Sequence, residues 1–213
     1  MPELVRSPAY SIVTNRLVLR CWNPPDAGLL SQAIEESLDH LRSWMPWAHL
    51  EPTSLDQRIS HLRSFRSNFD SDVDFVYGIF DLQESRVLGG TGLHPRVGES
   101  ALEIGYWIHK DFTHQGLATE TAAVLTRAAF EIHAVNRVEI HCDPGNEYSA
   151  AVPRKLGFTL EATLRQRTRN EDGSWSDSMV WTLLAADYPK SLAATYPMTA
   201  FDAANRPILI SDP

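Results

Sequence analysis

The chain has 213 residues, more than an ordinary domain of about 150 residues and too few for a large multidomain enzyme. Apolar residues make up 43% and charged residues 22%, a balance that supports a packed core and excludes a disordered chain. The net charge of −8 works against a sequence-independent grip on nucleic acid, which needs Lys and Arg at the phosphates, and suits a cationic or amine partner.

Only Cys21 and Cys142 are present, too few for a disulfide framework and not at zinc-ribbon spacing, so a reducing, cytoplasmic compartment is expected. The start, Met1 to Tyr10, lacks a basic stretch followed by an apolar run. No run of about 18 apolar residues follows, so neither secretion nor a membrane span is expected.

Arg16 to Cys21 alternates large apolar and polar side chains and reads as a strand, stopped by Asn23-Pro24-Pro25-Asp26. From Ala27, Leu30, Ile34, Leu38 and Leu41 recur at helical spacing until Trp44-Met45-Pro46-Trp47. A second helix carries Leu55, Ile59, Leu62, Phe65 and Phe69, with Ser54 as N-cap. Val73 to Phe80, Arg86 to Leu93 and Leu102 to Ile108 read as an antiparallel meander.

Gly116 to His133 then reads as a helix, Val138 to Cys142 as a strand, and Asn146 to Leu156 as a shorter helix. Thr159 to Leu164 and Ser178 to Leu183 read as final strands around an Asn170-Glu171-Asp172-Gly173 turn. The order is β-α-α-β-β-β-α-β-α-β-β. One domain is expected over 1–189, and residues 190–213, which show no period, are expected to be a tail without assigned structure.

The chemistry concentrates where a strand, Glu103 to Ile108, passes through Thr113-His114-Gln115-Gly116-Leu117-Ala118 into a helix. Free N–H groups and the positive helix end meet at Gln115 to Ala118, the makings of an anion site, with an ordinary Gly-containing turn as the competing reading. The spacing fits neither a P-loop nor a dinucleotide fingerprint. Gly89-Gly90-Thr91-Gly92 is no better, because no phosphate-capping helix follows it.

In this context the sequence resembles the GNAT superfamily of acyl-CoA-dependent N-acetyltransferases, whose pyrophosphate loop Gly116 and Ala118 match. Thr113 stands where that loop usually has Gln or Arg. Within the superfamily the chain is similar to the RimJ/RimL-type ribosomal-protein N-terminal acetyltransferases. The matching segments are Asn15 to Arg20, Trp44 to Ala48, Glu103 to Trp107, Asn146 to Ser149, Lys155 to Phe158, and Glu161. The resemblance implies an α+β GNAT fold: a mostly antiparallel twisted sheet of about seven strands, about four flanking helices, and a splay between the fourth and fifth strands that admits acetyl-CoA.

By the same resemblance, Tyr106, Trp107 and Ile108 bind pantetheine through the backbone, and His114, Gln115, Gly116, Leu117, Ala118 and Thr119 form the pyrophosphate cradle. Asn146 holds the pantetheine arm. Arg154 and Lys155 reach CoA phosphates, with a solvated helix face as the competing reading. Glu103 is the candidate general base, against a reading as a strand-edge carboxylate paired with an Arg. Ser149 is the donor to the departing thiolate, with Tyr148 in reserve, because the tyrosine position of other members is Pro153 here. The RimL-type glutamate of the strand after Gly157-Phe158 is replaced by Thr168.

The Trp44 to Trp47 cluster reads either as a wall of the acceptor pocket or as a core corner. The eight histidines lack metal-ligand spacing, and no metal is expected. The implied reaction is acetyl transfer from acetyl-CoA to a primary amine, foremost a protein N-terminal α-amine or else a small-molecule amine. A non-catalytic acyl-CoA-binding module is the alternative. Expected partners are acetyl-CoA and the amine, without nucleic acid or membrane, and a homodimer is left open.

Overall fold

The computed structural model describes residues 7–170 and 173–210, so Glu171 and Asp172 of the expected turn lie outside the described residues, as does Met1 to Arg6. Ten strands form one sheet: β1 (Ser11–Val13), β2 (Val18–Cys21), β3 (Phe75–Phe80), β4 (Val87–His94), β5 (Ala101–Ile108), β6 (Arg137–Cys142), β7 (Thr159–Arg169), β8 (Trp175–Leu184), β9 (Thr199–Phe201) and β10 (Pro207–Ile208). Their spatial order is β10-β9-β1-β2-β3-β4-β5-β6-β8-β7. Neighbours are antiparallel except β5 and β6, which run parallel.

Four α-helices cover the two faces: α1 (Ala27–Arg42), α2 (Leu55–Asp70), α3 (Leu117–Arg127) and α4 (Glu147–Leu156). The apolar residues expected on α1 do face inward, and Leu30, Ile34 and Leu41 pack with Trp22 and Phe80 on one side of the sheet. On α2, Ser54 caps the helix by accepting from the Gln57 N–H, and the Gln57 side chain returns the bond. Leu55, at the first helical position, is exposed. The opposite side of the sheet carries α3 and α4, where Val124, Leu125, Ala128 and Leu156 meet Leu102, Ile104, Val138 and Ile140. The expected helix from Gly116 to His133 divides, because α3 ends at Arg127 and Ala128–Ile132 continues as a π-turn.

The carboxyl-terminal segment differs from expectation. The sequence assigns no element to residues 190–213, but Leu192–Thr195 forms a 3-10 turn and β9 adds to the sheet beside β1, pairing Ser11 with Phe201 and Val13 with Thr199. Ala193 and Ala200 are fully buried. Arg127 fixes this segment by donating to the Tyr196 carbonyl at 2.7 Å while pairing with Glu131, which also accepts from Tyr188. Strands of two and three residues are too short to show a period of two, which is why β1, β9 and β10 are invisible in the sequence.

The feature that places the site is the β5/β6 pair. It is registered at only three positions, Ala101 with Arg137, Leu102 with Val138 and Glu103 with Glu139. Beyond Glu103 the two strands part. On the β4 side β5 stays paired to its end, Gly89 opposite Ile108, so the opening is a one-sided V whose β5 arm presents backbone groups without a strand partner. Among the described residues no helix is long and apolar enough to cross a membrane.

Candidate active site

A cavity of about 500 Å³ occupies the mouth of the V, lined by Tyr106, Trp107 and Ile108 of β5, residues 113 and 114, residues 116–119, and Asn146, Tyr148, Ser149, Val152 and Lys155 around α4. His40, Leu41, Trp44 and Met45, from the end of α1, close the remaining side. The expected thioester strand, pyrophosphate cradle and α4 residues thus meet in one space.

The cradle is built by backbone conformation. Gly116 is the N-cap of α3 at φ 78°, and His114 also has positive φ, 60°, so the chain turns sharply and aims the first N–H groups of α3 outward. The turn is braced from behind: Arg16 donates to the Gln115 carbonyl at 3.0 Å and pairs with Glu120, which also accepts from Thr14 at 2.6 Å. The Gln115 side chain itself folds back onto the Asp111 carbonyl, and Thr113 uses its hydroxyl on the Lys110 carbonyl. What the turn offers toward the cavity is therefore main-chain donors and the helix end.

At the other wall, Asn146 caps α4, its Oδ1 accepting from the Ser149 N–H at 3.0 Å, and its amide N–H groups have no partner among the described residues. Ser149 Oγ lies 3.1 Å from the Tyr106 hydroxyl, which also reaches the Ser149 carbonyl at 3.2 Å. Burial pushes the Tyr106 phenol upward, so it stays protonated at neutral pH. Cys142, at the β6 end of the V, is half-buried; burial raises its thiol against the opposing influence of Trp181 and Ser149. Tyr148 is largely exposed and packs edge-on against His114, with ring centroids 4.7 Å apart. Lys155 borders the cavity, whereas the Arg154 guanidinium lies over the Trp181 ring, 5.5 Å from its centroid.

The tryptophan cluster divides between the cavity and the core. Trp44 and Met45 line the cavity, while Trp47 packs on Trp107 with centroids 6.1 Å apart. The glycine run in β4 supports this arrangement, since a Cβ on Gly90 would stand 2.5 Å from the Trp107 indole nitrogen.

Glu103 is not among the cavity-lining residues. It sits at the apex of the V, buried, with both oxygens held by Arg96 at 2.7 and 2.8 Å. Burial would raise its pKa, but the Arg96 hydrogen bonds and then the charges of Arg96, His141 and His94 outweigh this and hold it below the usual glutamate range. Thr168 lies opposite Ser176 far along the β7/β8 hairpin, beyond a register shift. Glu36, His109 and Asp111 bring ligand-type atoms within 4.8 Å of one another. Both imidazole nitrogens of His109 are in use there, Nδ1 accepting from the Asp111 N–H and Nε2 bonding Glu36, an arrangement that ties α1 to the β5–α3 connection.

Sequence reasoning missed Arg96, the Arg16–Glu120 brace, and His40 as a cavity residue.

A parallel strand pair that opens beside a glycine-capped helix, with a hydroxyl at its mouth, defines an acyl-CoA-dependent acyltransferase. The acetyltransferase (GNAT) domain family matches residues 16–159, and the chain belongs to this family. It is an acetyl-CoA-dependent acetyltransferase related to the RimJ/RimL ribosomal-protein enzymes. It is 31% identical over 179 residues to YdaF of Bacillus subtilis (strain 168), covering 83% of this chain and 95% of that one. It is 25% identical over 186 residues to the [ribosomal protein uS5]-alanine N-acetyltransferase of Escherichia coli (strain K12), covering 85% and 94%. The fold is also that of Mycobacterium smegmatis RimJ in complex with CoA-disulfide, with a TM-score of 0.73 over 84% of this chain and 86% of that one at 24% identity.

Proposed function

We propose that the acceptor is a protein or peptide N-terminal α-amine, attacked directly within a ternary complex. The observation that carries this reading is the V between β5 and β6, with Ser149 and Tyr106 bonded across its mouth at 3.1 Å. Acetyl-CoA supplies the activated acetyl group. The N-terminus of α3 holds its pyrophosphate through the N–H groups after Gly116, and Asn146 has free amide donors for the pantetheine arm. Unpaired backbone N–H groups of the β5 arm face the thioester carbonyl, where negative charge grows as the amine attacks. Ser149 returns a proton to the departing sulfur, and the Tyr106 hydroxyl holds the serine in place. Glu103, fixed by Arg96, acts as a charge anchor at the apex.

The resemblance to a uS5-alanine N-acetyltransferase supports a protein α-amine over a small-molecule amine. A panel of peptides and small amines incubated with acetyl-CoA, read by mass spectrometry together with release of free CoA, tests the proposal. Acetylated N-termini are the expected result. Acetyl-CoA binding without turnover on any amine would make the chain an acyl-CoA-binding module instead.

A further inference from the structure

The face of the sheet that carries α1 and α2 is built differently from the face that carries α3 and α4. Side chains alternate across a strand, so Glu103, Gly105 and Trp107 of β5 share the face of α1 and α2, with Gly92 and His94 of β4 and Glu139 and His141 of β6 beside them. One row across the sheet reads His94, Glu103, Glu139. In the next row toward the cavity, Gly92 and Gly105 carry no side chain, and the His94 ring leans into that space. A Cβ on Gly92 would stand 2.6 Å from His94 Nε2, and one on Gly105 would stand 3.5 Å from the same nitrogen. The two glycines thus form a floor beneath an imidazole at the point where β5 leaves β6.

That imidazole is oriented. Its Nδ1 is 2.7 Å from the Asp74 carboxylate, which fixes the proton there and leaves the lone pair on Nε2. Nε2 has no hydrogen-bond partner among the described residues, and the side chain, which like Glu103 lies outside the cavity lining, keeps 17% of its surface exposed. Glu103 is committed to Arg96.

We propose that His94, oriented by Asp74, is the base that accepts the proton of the acceptor amine. The assignment rests on the acetyl-transfer reading above. The ammonium gives one proton to His94 Nε2, while Nδ1 keeps its proton against Asp74. The nitrogen lone pair forms the bond to the carbonyl carbon, the carbon–sulfur bond breaks, and sulfur takes the Ser149 Oγ proton. The second nitrogen proton, lost as the amide forms, replaces the one Ser149 gave, and the imidazolium releases its proton to water. Besides Asp74, the charged or titratable groups facing this site are Glu103 with Arg96, and His141 with Glu139 and Arg137.

The test is the pH dependence of single variants on a lysine-free peptide with a free N-terminus. His94→Gln should lower kcat at pH 7 by about 10²-fold or more while KM for acetyl-CoA is kept. The deficit should shrink above about pH 8, where the α-amine loses its proton unaided. Asp74→Asn, a positioning variant further from the packed floor, should lower kcat less and move the acid limb of kcat/KM to lower pH, because the imidazolium loses its carboxylate. Wild-type kcat and pH profile in His94→Gln would overturn the assignment, as would an acid limb that moves with Glu103→Gln or His141→Gln instead. Absence of CoA release by the wild-type protein with every amine would sink the acetyl-transfer reading itself, a result distinct from an active wild type with an active His94→Gln.

Discussion

The Tyr106 hydroxyl donates to the Ser149 carbonyl, which Pro153, four residues further along α4, leaves without its helical N–H. A proline inside a helix removes one i to i−4 bond, and here a strand residue across the V supplies the missing donor. The same hydroxyl sits 3.1 Å from Ser149 Oγ, so the repair of a helix defect also fixes the thiol-side hydroxyl. Tyr106→Phe should therefore cost roughly 1–3 kcal/mol of stability by stranding a carbonyl and lower turnover as well. In a Pro153→Ala background the restored helical N–H competes for that carbonyl, and the stability cost of Tyr106→Phe should fall. Equal costs in both backgrounds, measured by denaturant unfolding as a double-mutant cycle, would show that the two groups are not coupled.

A second prediction concerns Gly116. A Cβ there would meet only the Arg16 guanidinium, at an ordinary 3.8 Å, so the constraint is its φ of 78°. Gly116→Val should strain the turn by about 1–2 kcal/mol and place a side chain where the phosphates approach. Acetyl-CoA at about 100 times its Kd should stabilise the wild type by about 2.7 kcal/mol, and the variant should lose most of that gain at the same ligand concentration. A CoA-induced melting shift equal to that of the wild type would remove the cradle from this loop.

The long elements of this fold are legible because each repeats its signal: α1 through Leu30, Ile34 and Leu41, and the meander through β-branched and aromatic runs. The V is legible only through resemblance, since nothing local in Leu102 to Ile108 tells that its pairing with β6 ends at Glu103. Long-range partners are equally hidden. The sequence shows Glu103 as a carboxylate before a strand, but not that Arg96 closes both its oxygens. His94 was one of eight scattered histidines until the sheet register set it over Gly92 and Gly105.

A third prediction follows from His133, a half-buried residue whose ring lies 4.6 Å from that of Phe75 and whose Nε2 is buried with no partner among the described residues. Burial lowers its pKa to about 4. The unfolded chain then binds the proton more readily than the native state, so stability falls as pH drops from the ordinary imidazole range toward 4 and is retained above it. The loss should amount to roughly 3 kcal/mol at the acid end. Glu103, held low by Arg96, adds its own loss only below the ordinary glutamate range. Replacing His133 by Leu should flatten the upper part of this profile. An unfolding free energy of the variant that follows the wild-type slope between pH 6.5 and 4 would assign the acid sensitivity elsewhere.

The last prediction concerns which amine is used. At pH 7 a lysine amine, with pKa near 10.4, costs about 4.6 kcal/mol to deprotonate, whereas an α-amine near 7.7 to 8.0 costs about 1 to 1.4 kcal/mol. An imidazole base has little driving force to take a proton from lysine but is matched to an α-amine. The carboxylates around His94, namely Asp74, Glu103 and Glu139, are already paired with His94, Arg96 and Arg137. None of these three is an unpaired carboxylate that could offset the larger cost. Peptides with a free N-terminus and no lysine should be acetylated faster than N-terminally blocked peptides that contain lysine, by at least tenfold at pH 7, and the gap should narrow as pH rises and lysine itself begins to deprotonate. Peptide mapping that finds the acetyl group on lysine side chains, with free N-termini untouched, would reverse the proposed acceptor class.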